Sequence, residues 1–341
     1  MKSADAPDRT QNSPGPPTIR SMGALLALAL TFMLASCADT HDPATGADEP
    51  TPTAGPTSEA GDTPSASAFV EVGVWNLDTV GVQFEAANGL TVDDAGRVYS
   101  TEFQGGHLRR FTRDGELDLE VAGNGSGPGL LMNPIGVAVA MDGAIYVSES
   151  GSNRVSRFEP DGSFDSAWGD AGSEPGQFLS AMGIAVSNED EVFVADFGNH
   201  RVQVFDLTGR FLREWGQLGS LPGEFENPIG VQIGPAGQVW MVDSGNERVQ
   251  VFTRDGELER TFDDVGPGPQ IISVNDRGEF YVSSPWADST VRHFSPGGEL
   301  LGFLGDGLAG PHGTATGPSG VVYVADTANG VIRTFMRSDE G

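Results

Sequence analysis

Cysteine is nearly absent: Cys37 stands alone in 341 residues, so no internal disulfide can form. Lysine is equally scarce. Lys2 is the only one, which removes Schiff-base and lysine-base chemistry from the rest of the chain. Basic charge is low overall, with 19 Lys and Arg against 48 Asp and Glu and a net charge of −29. That balance repels phosphate backbones, and nucleic-acid binding is not expected. The acids are spread along the chain and read as a solvated surface. No apolar run reaches the roughly 20 residues of a membrane-crossing helix. HExxH, Walker-loop and nucleophile-elbow patterns are all missing.

What is present changes in texture along the chain. Residues 22–36, MGALLALALTFMLAS, form a short apolar stretch behind Arg9 and Arg20, as in the core of a secretory signal. It ends in LASC, Leu34 to Cys37, which resembles a bacterial lipobox. The resemblance implies cleavage before Cys37, a diacylglycerol on its sulfur and anchoring to membrane lipid by several acyl chains. Ala38 stands where an inner-membrane retention signal has Asp, which points to the outer membrane or another site outside the cytoplasmic membrane. Residues 38–67 carry no large apolar side chain and cannot bury enough surface to fold. The expected organisation is therefore a signal peptide over 1–36, a disordered lipid-anchored tether over 37–67 that includes an inert His41, and a folded domain over 68–341.

The domain is repetitive. Close copies begin NPIGVAV at Asn133, SAMGIAV at Ser180 and NPIGVQI at Asn227. Weaker copies begin at Ala86, Gly268 and Gly310, giving offsets of 47, 47, 47, 41 and 42 residues. Each copy reads as four short strands separated by polar turns, several of them Asp-Gly or Gly-Gly, where glycine accepts positive φ. Four antiparallel strands in about 45 residues make one propeller blade.

NPIGVAV, VADFGNHRVQVF and GSEPGQF resemble NHL repeats over about residues 69–341. The resemblance implies an all-β, six-bladed NHL-type β-propeller. The sixth copy stops after three strands, while AFVEVGVWN at residues 68–76 is a lone strand whose Trp75 matches Trp168 and Trp215. The N-terminal strand is therefore expected to close the last blade and remove its open edge.

One recurrent bend carries charge. An acid ends the second strand in five copies: Glu102, Glu149, Asp196, Asp243 and Asp326. An arginine follows five residues later in three: Arg154, Arg201 and Arg248. Asn199, Asn246 and Asn329 lie three residues after their acids. Repetition in every blade favours a structural bend, since a catalytic site needs different residues converging on one point. His200 falls in the same bend and is read the same way.

Function is expected where the copies differ. The residue just before each first strand is expected to face the channel mouth: Asn88, Ile135, Met182, Ile229, Gln270 and His312. This ring has an apolar arc and a polar arc, suited to an elongated ligand with both characters. Trp286, in the divergent bend SPWAD, is a candidate stacking residue. The fold is similar to two lyase families. In the peptidyl-hydroxyglycine amidating lyases, histidines of three blades hold zinc; in the streptogramin lyases, a channel histidine works with Mg²⁺. Of the ring, only His312 matches, and His107 and His293 are offset from it. No metal, cofactor or catalytic set is therefore expected. The leading expectation is an envelope lipoprotein that binds an envelope protein, a peptide or a glycan through its loop face. The alternative is a metal-dependent lyase or hydrolase using the channel histidine.

Overall fold

The computed structural model describes residues 69–121 and 123–338. The expected signal and tether, Cys37 and His41 lie outside the described residues. Among those described, no helix is long and apolar enough to cross a membrane.

Patterning sets the depth of each strand. Second strands such as Ile145–Glu149 and Val239–Asp243 are buried on both faces, between two neighbouring blades. Fourth strands such as Phe164–Trp168 alternate between half-buried and exposed, because only one face meets protein. The described residues form six four-stranded antiparallel sheets. Five consist of consecutive strands. The sixth has the order Phe69–Trp75, Val331–Arg337, Val322–Asp326, Pro311–Thr316, so the N-terminal strand is the outermost strand of the last blade. The six-bladed propeller and its closure thus match the expectation from sequence.

The closing strand pairs antiparallel from Phe69↔Arg337 to Trp75↔Ile332. Glu71 accepts from the Arg333 Nε at 2.5 Å. Its tryptophan does what its counterparts do. Trp168 packs on Tyr146 of its own blade and on Phe205 of the next. Trp215 packs likewise on Phe193 and Phe252. Trp75 touches Tyr323 of blade six and Phe111 of blade one. The same aromatic wedge therefore joins the two ends of the chain.

The innermost strands crowd together around the axis. A Cβ on Gly183 would lie 2.4 Å from the Ile229 carbonyl, and one on Gly313 would lie 2.2 Å from that of Asn88. Gly89 and Gly230 repeat this approach to the Ile135 and Gln270 carbonyls at 2.2 and 2.7 Å, while at Gly136 the nearest atoms, of Ile184 and Ser148, lie at 3.0 Å. Blade five carries Ile271 at that position, and its first strand, Ile272–Val274, is the short one.

Candidate functional site

Each of the five bend acids is fully buried and ends its second strand. Each accepts a backbone N–H from the residue 17 positions earlier: Glu85 to Glu102, Met132 to Glu149, Leu179 to Asp196, Glu226 to Asp243 and Ala309 to Asp326. Asp196 also accepts from the Arg201 Nε at 2.8 Å, Asn199 at 2.8 Å and Gln203 at 3.0 Å. Asp243 repeats this with Arg248 at 2.7 Å and Asn246 at 2.9 Å. Glu149 binds Arg154 in a fork through Nε and Nη2. Asp326 accepts from Asn329 at 2.9 Å. Carboxylates with their lone pairs so occupied brace a bend rather than move protons.

The arginines also hold the long loops that lead into blades two, three and four, residues 123–133, 169–180 and 216–227. Arg201 donates to the carbonyls of Glu174 and Gln177, and Arg248 to those of Ser220, Leu221 and Glu224. Arg154 does the same with Ser126 and Leu130. Each loop wraps its own guanidinium. In the other blades the arginine comes two residues later on the same strand face, a placement the sequence reading missed. Arg109 pairs with Glu102 and Arg333 lies 3.6 Å from Asp326. Arg292 reaches Ser284, which stands where the acid would be, at 3.1 Å. A strand period of two made these legible in principle.

His200 links blades. It adopts φ 55°, and its Nδ1 accepts the backbone N–H of Asn227 at the entrance of blade four. Asn153 plays the same part for Ser180 and Glu247 for Gly268.

The ring of divergent positions lies on the face that carries these bends and loops. One detail differs from the expectation. Asn88, Ile135, Met182, Ile229 and His312 are the second residues inside their first strands, not the residues before them; only Gln270 precedes its shortened strand. The strands begin earlier because the preceding residue already pairs with the bend acid, as Pro134 does with Glu149 and Pro311 with Asp326. Neighbouring members are tied together: Thr101 donates to the Ile135 carbonyl at 2.7 Å and Ser283 to that of His312 at 2.6 Å. Gln270, His312 and Asn88 are consecutive around the ring, as are Ile135, Met182 and Ile229.

His312 is the distinctive member. Its Nδ1 lies 3.0 Å from the Gly310 carbonyl and 3.1 Å from the Thr327 hydroxyl. A carbonyl only accepts, so Nδ1 carries the proton and the Nε2 lone pair is left available. Burial pushes the imidazole down to about 4, so it is neutral at ordinary pH. The indole of Trp286 stands edge-on to it, with centroids 4.8 Å apart. Trp286 is 53% exposed, and Leu179, Leu218 and Leu221 on the entry loops are also exposed. The bend of blade five, Ser284 to Thr290, is one residue longer than the others, which lifts Trp286 over its neighbour. Thr327 is a residue that sequence reasoning missed. It bridges to the Ala87 carbonyl of blade one at 2.5 Å.

The arrangement does not suit Mg²⁺ or Zn²⁺. The ring offers one imidazole among apolar and amide side chains, the bend acids are already bonded, and among the described residues no three His, Cys, Asp or Glu converge.

Comparisons with known proteins agree on the fold. A streptogramin B lyase superposes with a TM-score of 0.57 at 16% identity, covering 78% of this chain and 97% of that one. A catalytically inactive histidine-to-alanine variant of the Staphylococcus aureus virginiamycin B lyase, solved with quinupristin, gives 0.55 at 17% identity, covering 79% and 88%. A gluconolactonase from Xanthomonas campestris gives 0.58 at 14%, covering 74% and 86%. No curated protein matches the sequence significantly. The family model described as the virginiamycin B lyase family matches residues 66–334, and the chain belongs to that family.

Proposed function

We propose that this propeller binds an elongated, partly apolar ligand across its loop-bearing face. The observation that carries the reading is the exposed Trp286 held against His312, with exposed leucines on the loops alongside. Trp286 supplies a rigid apolar anchor, and the ring supplies an apolar arc and a hydrogen-bonding arc. A peptide-like ligand has both characters. The proposal includes NHL-type repeats and a lipid anchor on Cys37, which would hold the propeller in the bacterial envelope outside the cytoplasm. Loss of palmitate labelling in Cys37→Ser would support the anchor; labelling that persists would overturn it.

A second reading, a lyase or hydrolase, is favoured by one observation. His312 is neutral, fixed in one tautomer by the Gly310 carbonyl, and has its Nε2 lone pair available. Such a group can accept a proton from a bound substrate. No step through a metal follows from the donors present.

Quinupristin is the first probe, given the family. Saturable quenching of tryptophan fluorescence, lost in Trp286→Ala and without product by mass spectrometry, supports the binding module. Turnover abolished in His312→Ala supports the lyase or hydrolase. A lyase product forms without uptake of water, whereas a hydrolase product gains one. If a wider screen of peptides and glycans gives only responses that Trp286→Ala and His312→Ala leave unchanged, the loop-face site is wrong.

A further inference from the structure

Blade five braces its bend differently from the others. Its second strand ends in Ser284, not in an acid, yet it keeps the arginine. Arg292 pairs with Val282 in the register that joins Arg109 to Ser100 and Arg333 to Val324. In those two blades the guanidinium also donates to the entry loop, at the carbonyls of Gln83 and Asp306. The loop entering blade five is short and passes against Arg292 at Gly266, where a Cβ would fall 2.3 Å from Cζ. Arg292 directs its hydrogen bonds into the bend instead. Nη1 donates to Ser284 Oγ at 3.1 Å and to Thr290 Oγ1 at 2.8 Å, and Nη2 donates to the Asp288 carboxylate.

Asp288 is thus the displaced acid. It sits within the bend, two residues after Trp286, and its other oxygen accepts from Thr290 Oγ1 at 2.8 Å. The Arg292 side chain is 10% exposed and that of Asp288 32%. Ser289 closes the bend with φ 54° and a hydroxyl that donates to the Pro285 carbonyl at 3.3 Å. Elsewhere the charge pair fastens a strand end. Here it fastens the segment that carries Trp286, and a charge-assisted pair orients its partners more firmly than a neutral one. Trp286 is half-exposed, so packing holds its indole over the buried His312 from one side only.

We propose that Asp288 is a positioning residue: paired with Arg292, it holds the longer bend so that Trp286 stands over His312 before any ligand arrives. The consequence for recognition rests on the loop-face reading. An indole fixed in advance costs a ligand less ordering than a free one.

Diethyl pyrocarbonate, which acylates neutral imidazole, tests the placement with no ligand present, and mass spectrometry locates the modified histidine. In the parent His312 should react slowly, with a pH midpoint near 4, because burial lowers the ring to about 4 and only the Gly310 carbonyl opposes it. Asp288→Asn should raise the rate about fivefold or more, since a hydrogen bond between charged groups is lost. It should also move the midpoint up toward the ordinary 6.5. Trp286→Ala should do the same. Asp288→Asn/Trp286→Ala should add nothing further, because both changes act through the indole. Asp288→Glu should restore the parent's behaviour, a rescue that general loosening of the fold would not give. An Asp288→Asn protein with the parent's rate and midpoint, or effects of the two substitutions that add, would overturn the proposal. Failure of quinupristin to bind the parent would count against the loop-face reading alone and leave these rates as they stand.

Discussion

Trp286 and His312 come from adjacent blades, and their rings meet edge to face at 80° with centroids 4.8 Å apart. An imidazolium quenches a neighbouring indole more strongly than a neutral imidazole does. Fluorescence of the folded protein should therefore fall on acidification with a midpoint near pH 4, not near the ordinary 6.5. The step should vanish in His312→Gln and in Trp286→Phe. A midpoint close to 6.5 would mean that the ring is solvated.

The same residue predicts a pH dependence of stability. His312 is held near 4 in the fold against 6.5 for the ordinary group. As pH falls through 6.5 the unfolded chain takes up a proton that the native chain refuses. The native state is thus progressively disfavoured between pH 6.5 and 4, and the full contribution is present above 6.5. The loss amounts to about 3 kcal/mol at most. Relative to His312→Gln, the parent should lose stability across that window in denaturant titrations. Parallel curves would contradict the burial of the ring.

Removing a bend acid should unfold more than it frees. Asp243→Ala would leave Arg248, itself 6% exposed, without its buried partner. The expected cost is about 3–5 kcal/mol, the usual range for one member of a buried pair. Breaking the surface pair of Asp206 with Arg210, whose side chain is 74% exposed, should cost no more than about 1 kcal/mol. Urea unfolding of Asp243→Ala and Arg210→Ala compares them. Equal midpoints would show that the bends do not brace the blades.

Glycine-to-alanine changes should separate crowding from backbone strain. At Gly183 the backbone is ordinary but a Cβ would collide with the Ile229 carbonyl, so Gly183→Ala should cost about 1–3 kcal/mol and push blades three and four apart. At Gly237 nothing lies within 4 Å, but φ is +81°. Gly237→Ala should therefore cost about 1 kcal/mol with no packing change. Melting temperatures in the reverse order would show that the axial approach is looser than described.

Closure by the N-terminal strand makes Trp75 equivalent to Trp168 and Trp215. Trp75→Ala should destabilise by about 3–5 kcal/mol, as Trp215→Ala should. Glu71→Ala, which removes a partly exposed partner of Arg333, should cost far less. Chemical denaturation of the three variants would decide; a harmless Trp75→Ala would leave the ring open.

Much of this was legible because blade grammar is local. Turn glycines, the buried second strand and the acid at its end recur at fixed offsets, and Trp75 betrayed the missing fourth strand by matching Trp168 and Trp215. The +5 arginines were visible for the same reason. Arg109, Arg292 and Arg333 escaped because they sit one pleat further along, though they serve the same bend. The site was less legible. Divergence marked His312 and Trp286 separately, but nothing in the chain announced that a bend one residue longer would lay one ring against the other. Thr327 carried no signal beyond following Asp326.

Repetition alone settled how many blades form, the order of their strands and which end completes the ring, because each unit must bury its second strand against copies of itself. Tertiary structure decided the rest: which side chains of different blades meet, as Trp286 and His312 do. Such contacts depend on how closely the innermost strands approach around the axis, a distance set jointly by all six blades.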